Sequence, residues 1–579
     1  MKYPIVKVHG EENSCVVGWE NINSQLANEI ASKSKKKVIV VVETYQGVYY
    51  DNIFDSLKKG LNISNSIDAS EAMFSDSKIR EITHRDVTDH RIFGHITQLK
   101  IEDYFNPEKV LQYQKKIESI TQGIVLVYGT GSSLLAPKHD ILVYADMARW
   151  EIQLRMRKNE VNNLGLQNKN ESSESKYKIG YFVDWRVCDR LKKRLINNWD
   201  FVLDTNNQDV PKMITGDVLR KGLTQTANQP FSVVPYFDEG IWGGQWMKDI
   251  CDLDKSKKNY AWCINCIPEE NSLLLAFGDI KFEIPSINVV FYKPVELLGD
   301  PVHARFGDEF PIRFDFLDTM EGGNLSLQVH PTTEYIQQEF GMNYTQDESY
   351  YMLEAKDDAS VYLGLQENTN PDDVIHDLEY SEKNNTPFED NKHIQNWPAK
   401  KHDHFLIPAG TIHCSGKNGV VLEISSTPYI FTFKLYDWAR VDSNGVSRPI
   451  NIQHGKNVIN WNSTTSWTKE NLINKIELIE EGNGWREERT GLHKREFIET
   501  RRHWFTKKVL HHTNESVNVL NLIEGSEAII ESPTNAFEPF VVHYAETFII
   551  PASVKEYTIR PYGEATGQQC ATMKAFVRK

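Results

Sequence analysis

No apolar run in the chain approaches the ~18 residues that a membrane-spanning helix requires, so no membrane span is expected. The N-terminus, Met1-Lys2-Tyr3-Pro4 followed by mixed polar sequence, lacks the apolar stretch and small-residue cleavage site of a secretory signal, and the cytoplasm is the expected compartment. Cysteine is scarce: seven residues, an odd number, lie scattered at positions 15, 188, 251, 263, 266, 414 and 570, which excludes a disulfide framework. Cys263-Ile264-Asn265-Cys266 has no second pair to complete a zinc ribbon and sits in a strand-like stretch, so both thiols are expected to be ordinary buried groups. A basic stripe with interleaved aromatics is also missing. With a net charge of −15 opposing any polyanion, nucleic acid is not an expected partner. The small basic cluster Lys33 to Lys37 runs straight into Val38 to Val42 and reads as the solvated entry to a strand. No repeat at a solenoid period is present.

What is there is the composition of an ordinary globular protein: 40% apolar and 25% charged residues over 579 positions, a length that calls for two to four domains. The first third alternates between strands and helices. Val38-Ile39-Val40-Val41-Val42 is apolar at every position, as suits a strand covered on both faces of a parallel sheet, and similar runs recur at Gly123 to Tyr128 and Ile141 to Tyr144. Helical stretches at Pro107 to Ile120, Met147 to Lys158 and Asp184 to Leu195 complete an α/β layered domain over residues 1–205. Leu166 to Lys178, polar and without apolar periodicity, is expected to be an exposed loop. Beyond Asn206 short apolar runs punctuated by Gly, Pro, Asn and Asp predict a mainly-β region, with a boundary near residues 205–212. A second polar break at Asn462 to Arg489 divides it into residues 206–490 and a small C-terminal barrel over 491–579.

Four polar side chains in the β region have the makings of a metal site. In Asn324-Leu325-Ser326-Leu327-Gln328-Val329-His330-Pro331, strand alternation directs Ser326, Gln328 and His330 to one face. Gln328 and His330, two residues apart, can share one ion, and Pro331 ends the strand. Glu348 stands at the start of the run Tyr350 to Leu353. Phe405 to His413 reads as strand, Pro-Ala-Gly turn, and a histidine opening the next strand. Two imidazoles, a carboxylate and an amide oxygen suit Zn²⁺, and also Mn²⁺, Fe²⁺ or Co²⁺, one ion per chain.

Three ordered strings carry a family resemblance: Gly323 to Pro331, Ile407-Pro408-Ala409-Gly410-Thr411-Ile412-His413, and Leu435-Tyr436-Asp437-Trp438-Ala439-Arg440. Together they resemble the signature of type I mannose-6-phosphate isomerases. Ile241-Trp242-Gly243-Gly244 and Ile549-Ile550-Pro551-Ala552 extend the likeness from about residue 230 to the C-terminus. The resemblance implies a double cupin, two jelly-roll barrels with a helical insertion, and the metal ligands Gln328, His330, Glu348 and His413. It implies a catalytic role for Lys434, and Glu423, on the strand after His413, is the candidate general base; substrate contacts are expected at Ser326, Arg440, Asp315 and Gln346.

The substrate shell departs from the family in one direction. Asp315 and Gln346 stand where lysines are usual, and Lys434 replaces an arginine, so a planar fork becomes a point charge. Arg313, Lys434 and Arg440 are left to compensate. The expected activity is aldose-ketose isomerisation of mannose 6-phosphate and fructose 6-phosphate or a related sugar. The alternative is a metal-bearing cupin that binds a sugar or sugar phosphate as a regulatory module. The N-terminal domain is faintly similar to degenerate P-loop kinases of the uridine kinase type: Glu43-Thr44-Tyr45-Gln46-Gly47 stands at the phosphate loop without its lysine, and Tyr128-Gly129-Thr130-Gly131, Asp146 and the helix bearing Arg149, Arg155 and Arg157 follow. A non-catalytic relative is expected there, and nucleotide binding to residues 1–205 would instead mark a two-activity fusion.

Overall fold

The computed structural model describes residues 3–426, 431–441, 448–491, 493 and 496–578. It divides into two compact units. One is built from Ile5–Ala227 with Pro268–Lys293, the other from Met1–Pro4, Asn228–Ile267 and Pro294–Lys579.

The first unit is organised by five parallel strands: β1 (Lys37–Thr44), β2 (Ile63–Asp68), β3 (Gly123–Gly129), β4 (Ile141–Asp146) and β5 (Phe201–Asp204). Their order across the sheet is β2-β3-β1-β4-β5, with β6 (Lys212–Thr215) antiparallel to β5 and Val16–Val17 paired beyond it. The centre is dry: Val40, Val41 and Val42 of β1 are buried along with Val125 to Val127 and Ile141 to Ala145, as a sheet covered on both faces requires. Helix α1 (Tyr50–Gly60) follows β1 after a short loop. The expected helices form at Pro107–Ser119, where Asn106 caps the first turn and proline stands at its start, at Arg149–Arg157, and as α2 (Trp185–Leu195).

Two expectations for this region are corrected. Leu166 to Lys178 is not wholly an exposed loop, because Ser172 caps a helix at Ser173–Ile179 and Lys176 is buried. The Lys176 ammonium donates to the carbonyls of Met156 and Lys169 and to Asn159 Oδ1, so hydrogen bonds rather than apolar periodicity order the segment. The compact unit also runs past residues 205–212, since β5 and β6 form a hairpin in one sheet, and it takes in a distant piece of chain. Ser272–Phe277 pairs parallel with Ile5–Lys7 and antiparallel with Ile280–Pro285, and the helix Ile287–Tyr292 follows.

Buried charges join this returning segment to the sheet. Lys192 lies 2.8 Å from Asp146, both about 1% exposed, and Asn288 donates to the second Asp146 oxygen at 2.8 Å. Arg149 pairs with Asp189 at 2.6 Å, and the Tyr45 hydroxyl donates to the same carboxylate. Gln153 donates to Glu270 at 2.6 Å. The Lys192–Asp146 and Arg149–Asp189 pairs thus each combine opposite charge with a further hydrogen bond, the condition for tolerating buried ions in a core.

The second unit contains two pairs of antiparallel sheets. In the first pair, a six-stranded sheet runs in the order His404–Ile407, β9 (Glu348–Ala355), β11 (Gly419–Ser425), β7 (Arg313–Asp318), Trp262–Cys266 and Tyr236–Asp238. Its five-stranded mate runs Ile394–Pro398, Ser360–Leu365, β10 (His413–Ser415), β8 (Leu327–Val329) and β12 (Phe433–Tyr436). The helix Pro371–Asn384 is inserted between two strands of the latter sheet. In the second pair, six and four strands enclose one apolar core that includes Phe505, Leu520, Phe548, Ile530, Val542 and Ile559. Asn462 to Arg489, expected to be a polar break, holds the helix Thr465–Leu472 and the hairpin of Glu477–Gly482 with Trp485–Gly491, the outer edge of that six-stranded sheet. Glu477–Gly482 is exposed on both faces and is held by cross-strand pairing such as Arg489 to Glu477 at 2.9 Å, so it shows no apolar alternation. Among the described residues no helix is long and apolar enough to cross a membrane.

Candidate metal centre

Strand register brings the four predicted ligands together. Gln328 on β8 is directly opposite His413 on β10 and Lys434 on β12, so these side chains share a face. His330 follows β8. Glu348 opens β9 in the facing sheet, where Tyr350 pairs with Glu423 on β11 and Glu423 pairs with Asp315 on β7. The turn before His413 needs the left-handed conformation at Gly410, φ +88°, where an added Cβ would also meet the Val458 carbonyl at 2.7 Å.

One ligand atom from each of His330, Glu348 and His413 lies within 4.8 Å of the others, all three residues being buried. His413 Nε2 is 2.8 Å from Glu348 Oε1, and His330 Nε2 is 3.1 Å from Glu348 Oε2. Gln328 adds its amide 3.2 Å from His413 Nε2, and a half-turn of that amide presents oxygen instead of nitrogen.

The outer ring nitrogens decide what the inner ones offer. His330 Nδ1 lies 3.1 Å from the Phe431 carbonyl and His413 Nδ1 lies 2.9 Å from the Thr411 carbonyl. A carbonyl only accepts, so each Nδ1 carries a proton, and in the neutral ring each Nε2 turns a lone pair inward. Those lone pairs face a carboxylate, and His330 Nε2 and Glu348 Oε1 are buried without a hydrogen-bond partner. Acceptors converging on acceptors repel unless a cation lies between them. The donor set therefore fits a divalent ion, with Nδ1 to carbonyl bonds fixing ring orientation as metal-ligating histidines require.

The other candidates fall into two groups. Gln346 donates to Glu348 at 2.7 Å and reaches Glu423 at 3.4 Å, placing it between a candidate ligand and a candidate base. Burial, followed by the neighbouring carboxylates, pushes the Asp315 and Glu423 carboxyls well above their ordinary values. The second group gathers around Asp437: Ser326 donates to it at 2.8 Å, Arg440 hydrogen-bonds to it and to the Asn324 carbonyl, and Arg448 lies 2.8 Å from its other oxygen. Burial, and then the Arg448 charge, lower the Lys434 ammonium to about 8. Sequence reasoning missed Arg448 and the carbonyls of Thr411 and Phe431. The carbonyls leave no trace in side-chain identity, and Arg448 lies outside the matched strings.

Residues 18–228 match a family described as a domain of unknown function (DUF8485). Among curated proteins, the chain is 26% identical over 232 residues to "Probable mannose-6-phosphate isomerase GmuF" of Bacillus subtilis (strain 168), covering 40% of this chain and 68% of the relative. It is 25% identical over 240 residues to mannose-6-phosphate isomerase ManA of the same organism, with the same coverage. The mannose-6-phosphate isomerase of Streptococcus mutans matches at 24% over 248 residues, 41% of this chain and 72% of that protein. Among solved structures, the mannose 6-phosphate isomerase from Bacillus subtilis aligns with 60% of this chain and 99% of its own at 19% identity, TM-score 0.49. A zinc-bound mannose 6-phosphate isomerase aligns with 61% of this chain and 100% of its own at 11% identity, TM-score 0.45.

Proposed function

We propose that the second unit is a metal-dependent aldose-ketose isomerase of the cupin type, acting on mannose 6-phosphate and fructose 6-phosphate or a close relative. The observation that carries this reading is the convergence of two imidazole lone pairs and a carboxylate on one buried point. The sequence similarity to mannose-6-phosphate isomerases supports the choice of substrate class. Gln328, His330, Glu348 and His413 would hold one divalent ion, zinc by preference. When bound, that ion would polarise a substrate oxygen and favour the charge that develops during enolisation.

The remaining steps belong to the chain's own side chains. Isomerisation moves a proton between C1 and C2 through an enediol, which needs a base able to take it and return it. Glu423 is the assigned shuttle. Its carboxyl, raised by burial and by Asp315, has the elevated proton affinity such a shuttle needs. Lys434, its ammonium lowered to about 8, donates a proton to a substrate oxygen more readily than an ordinary lysine. Gln346 orients Glu348 and Glu423 together. Ser326 and Arg440 act through Asp437, which positions the wall next to Lys434.

One observation favours the second reading, a sugar-binding module without turnover: Arg440 and Arg448 are both engaged by Asp437, which leaves fewer cations for a phosphate dianion. A coupled assay of metal-loaded protein with mannose 6-phosphate separates the two. Turnover is expected, and Glu423→Gln should abolish it while leaving bound metal in place. Saturable sugar binding without turnover would overturn the isomerase reading.

A further inference from the structure

The first unit has a cavity of about 460 Å³ at the carboxyl ends of β1, β2 and β3, beside the point where the strand order reverses. Its volume falls in the range of small-molecule sites, and its location is where open parallel sheets bind ligands. The loop after β1 forms one wall and is drawn tightly inward: Gly47 has φ +91°, and a Cβ there would meet the Ile152 side chain at 2.9 Å. Residues Asn162 to Gln167 line the cavity as well, and the Gln46 amide donates to the Asn162 carbonyl at 2.7 Å.

The lining chemistry disfavours a phosphorylated ligand. Four carboxylates line the cavity, Asp51, Asp68, Asp76 and Glu160, and among the described residues no lysine or arginine lines it. The nearby guanidiniums are committed elsewhere. Arg155 donates to Glu151 and to the carbonyls of Gly47 and Thr205, and Arg80 bridges Asp76 and Glu171. The first-turn amides of α1 attract anions only weakly, and here the carboxylates of Asp51 and Asp68 oppose them.

The same carboxylates call for hydrogen-bond donors. Glu160 accepts from the Tyr49 hydroxyl, and Asp76 accepts from Arg80 and the Gln167 amide. Asp68 accepts only a local backbone amide, from Ser70, and neither Asp68 nor Asp51 has an ion-pair partner among the described residues. Ionised carboxylates only accept, so a fitting ligand must donate through hydroxyl or ammonium groups. Tyr49, Tyr50 and Phe74 supply flat apolar surface, whereas the lining amides are engaged within the protein, Gln46 by the Asn162 carbonyl and Trp185, Asn52 by Gln208, and Asn162 by the Lys169 amide.

We propose that this cavity binds an unphosphorylated, hydroxyl-rich small molecule, a hexose or amino sugar, with Asp51 and Asp68 accepting hydrogen bonds from it. The cavity lies within the first unit and does not depend on the isomerase reading. The test is calorimetric titration of the full chain carrying His330→Ala, which silences the candidate metal centre, with D-mannose, D-glucosamine and ATP. Saturable binding of one of the two sugars is expected, at least tenfold weakened by Asp68→Asn and by Asp51→Asn. Asparagine at position 68 can still cap the Ser70 amide, and unchanged melting temperatures would show that both variants are folded. In the otherwise native chain, both substitutions should leave mannose 6-phosphate turnover unchanged. Preference for glucosamine would identify an amino sugar, and preference for mannose a neutral one. ATP binding more tightly than either sugar, sugar affinity indifferent to both substitutions, or no saturation up to about 50 mM would overturn the proposal.

Discussion

In the parallel-sheet unit, Lys192 and Asp146 lie 2.8 Å apart with Asn288 completing the carboxylate's hydrogen bonds, and Arg149, Asp189 and Tyr45 repeat the pattern. In the first sheet pair of the other unit, His330, His413 and Glu348 are equally buried, yet their inner atoms are acceptors aimed at one another. The first arrangement is electrically complete and reads as architecture. The second gathers donor atoms that suit a cation and reads as a candidate metal site. Burial and charge alone do not separate the two; the direction of each proton does.

The largest expected effect tests the candidate metal site. His330→Ala or His413→Ala should reduce bound divalent metal from about one ion per chain to near zero, and isomerase kcat/KM by about 10³-fold or more. Elemental analysis after gel filtration measures the first, and full occupancy in either variant would contradict the assigned centre. The electrically complete arrangement should respond through stability instead. Lys192→Met leaves Asp146 buried without its cation and should destabilise the first unit by about 3–5 kcal/mol in denaturant titrations, with Asp146→Leu restoring much of the loss in the double variant. Additive losses would show that the pair is not coupled.

Lys434 lies between these extremes, a half-buried cation beside the candidate metal centre. Lys434→Gln should lower kcat/KM by roughly 10²-fold with metal content unchanged, and Lys434→Arg should recover part of it. Metal loss in the glutamine variant would reassign Lys434 to holding the site together.

The smallest effect concerns a buried acid with no cation at all. Burial raises the Asp184 carboxyl to about 7, against hydrogen bonds from Asn163 and the Leu164 amide that favour the charged form. Between its unfolded value near 3.8 and about 7, the folded chain holds the extra proton. This group's contribution to stability therefore declines as pH rises through that window and is level above it. Both donors reach the same Asp184 oxygen, which an asparagine carbonyl can replace. Asp184→Asn should match the parent near pH 4 and exceed it by on the order of 1 kcal/mol at pH 8. A difference independent of pH would remove Asp184 from the account.

Local pattern made some of this legible. The all-apolar run in β1 announced a sheet covered on both faces, and Pro408-Ala409-Gly410 announced the turn that delivers His413. Gln328 and His330 were readable as a pair because strand alternation is a short-range rule. The segment around Lys176 was not readable, since its order comes from hydrogen bonds to carbonyls of residues far from it in type and pattern. The hairpin Glu477–Gly491 was hidden for a related reason: charged cross-strand pairs replace the apolar alternation that marks a half-buried strand.

The sequence by itself determined which groups are available: a parallel-sheet core of branched aliphatics, and an amide, two imidazoles and a carboxylate on strands of a β region. Tertiary structure alone decided that Pro268–Lys293 pairs with the first unit, that Asp437 engages Arg440 and Arg448, and that the Phe431 and Thr411 carbonyls turn both histidine lone pairs inward. The physical reason is range. Propensity and alternation act over a few residues, whereas ion pairing and proton placement depend on which distant segments share a neighbourhood, and only folding sets that.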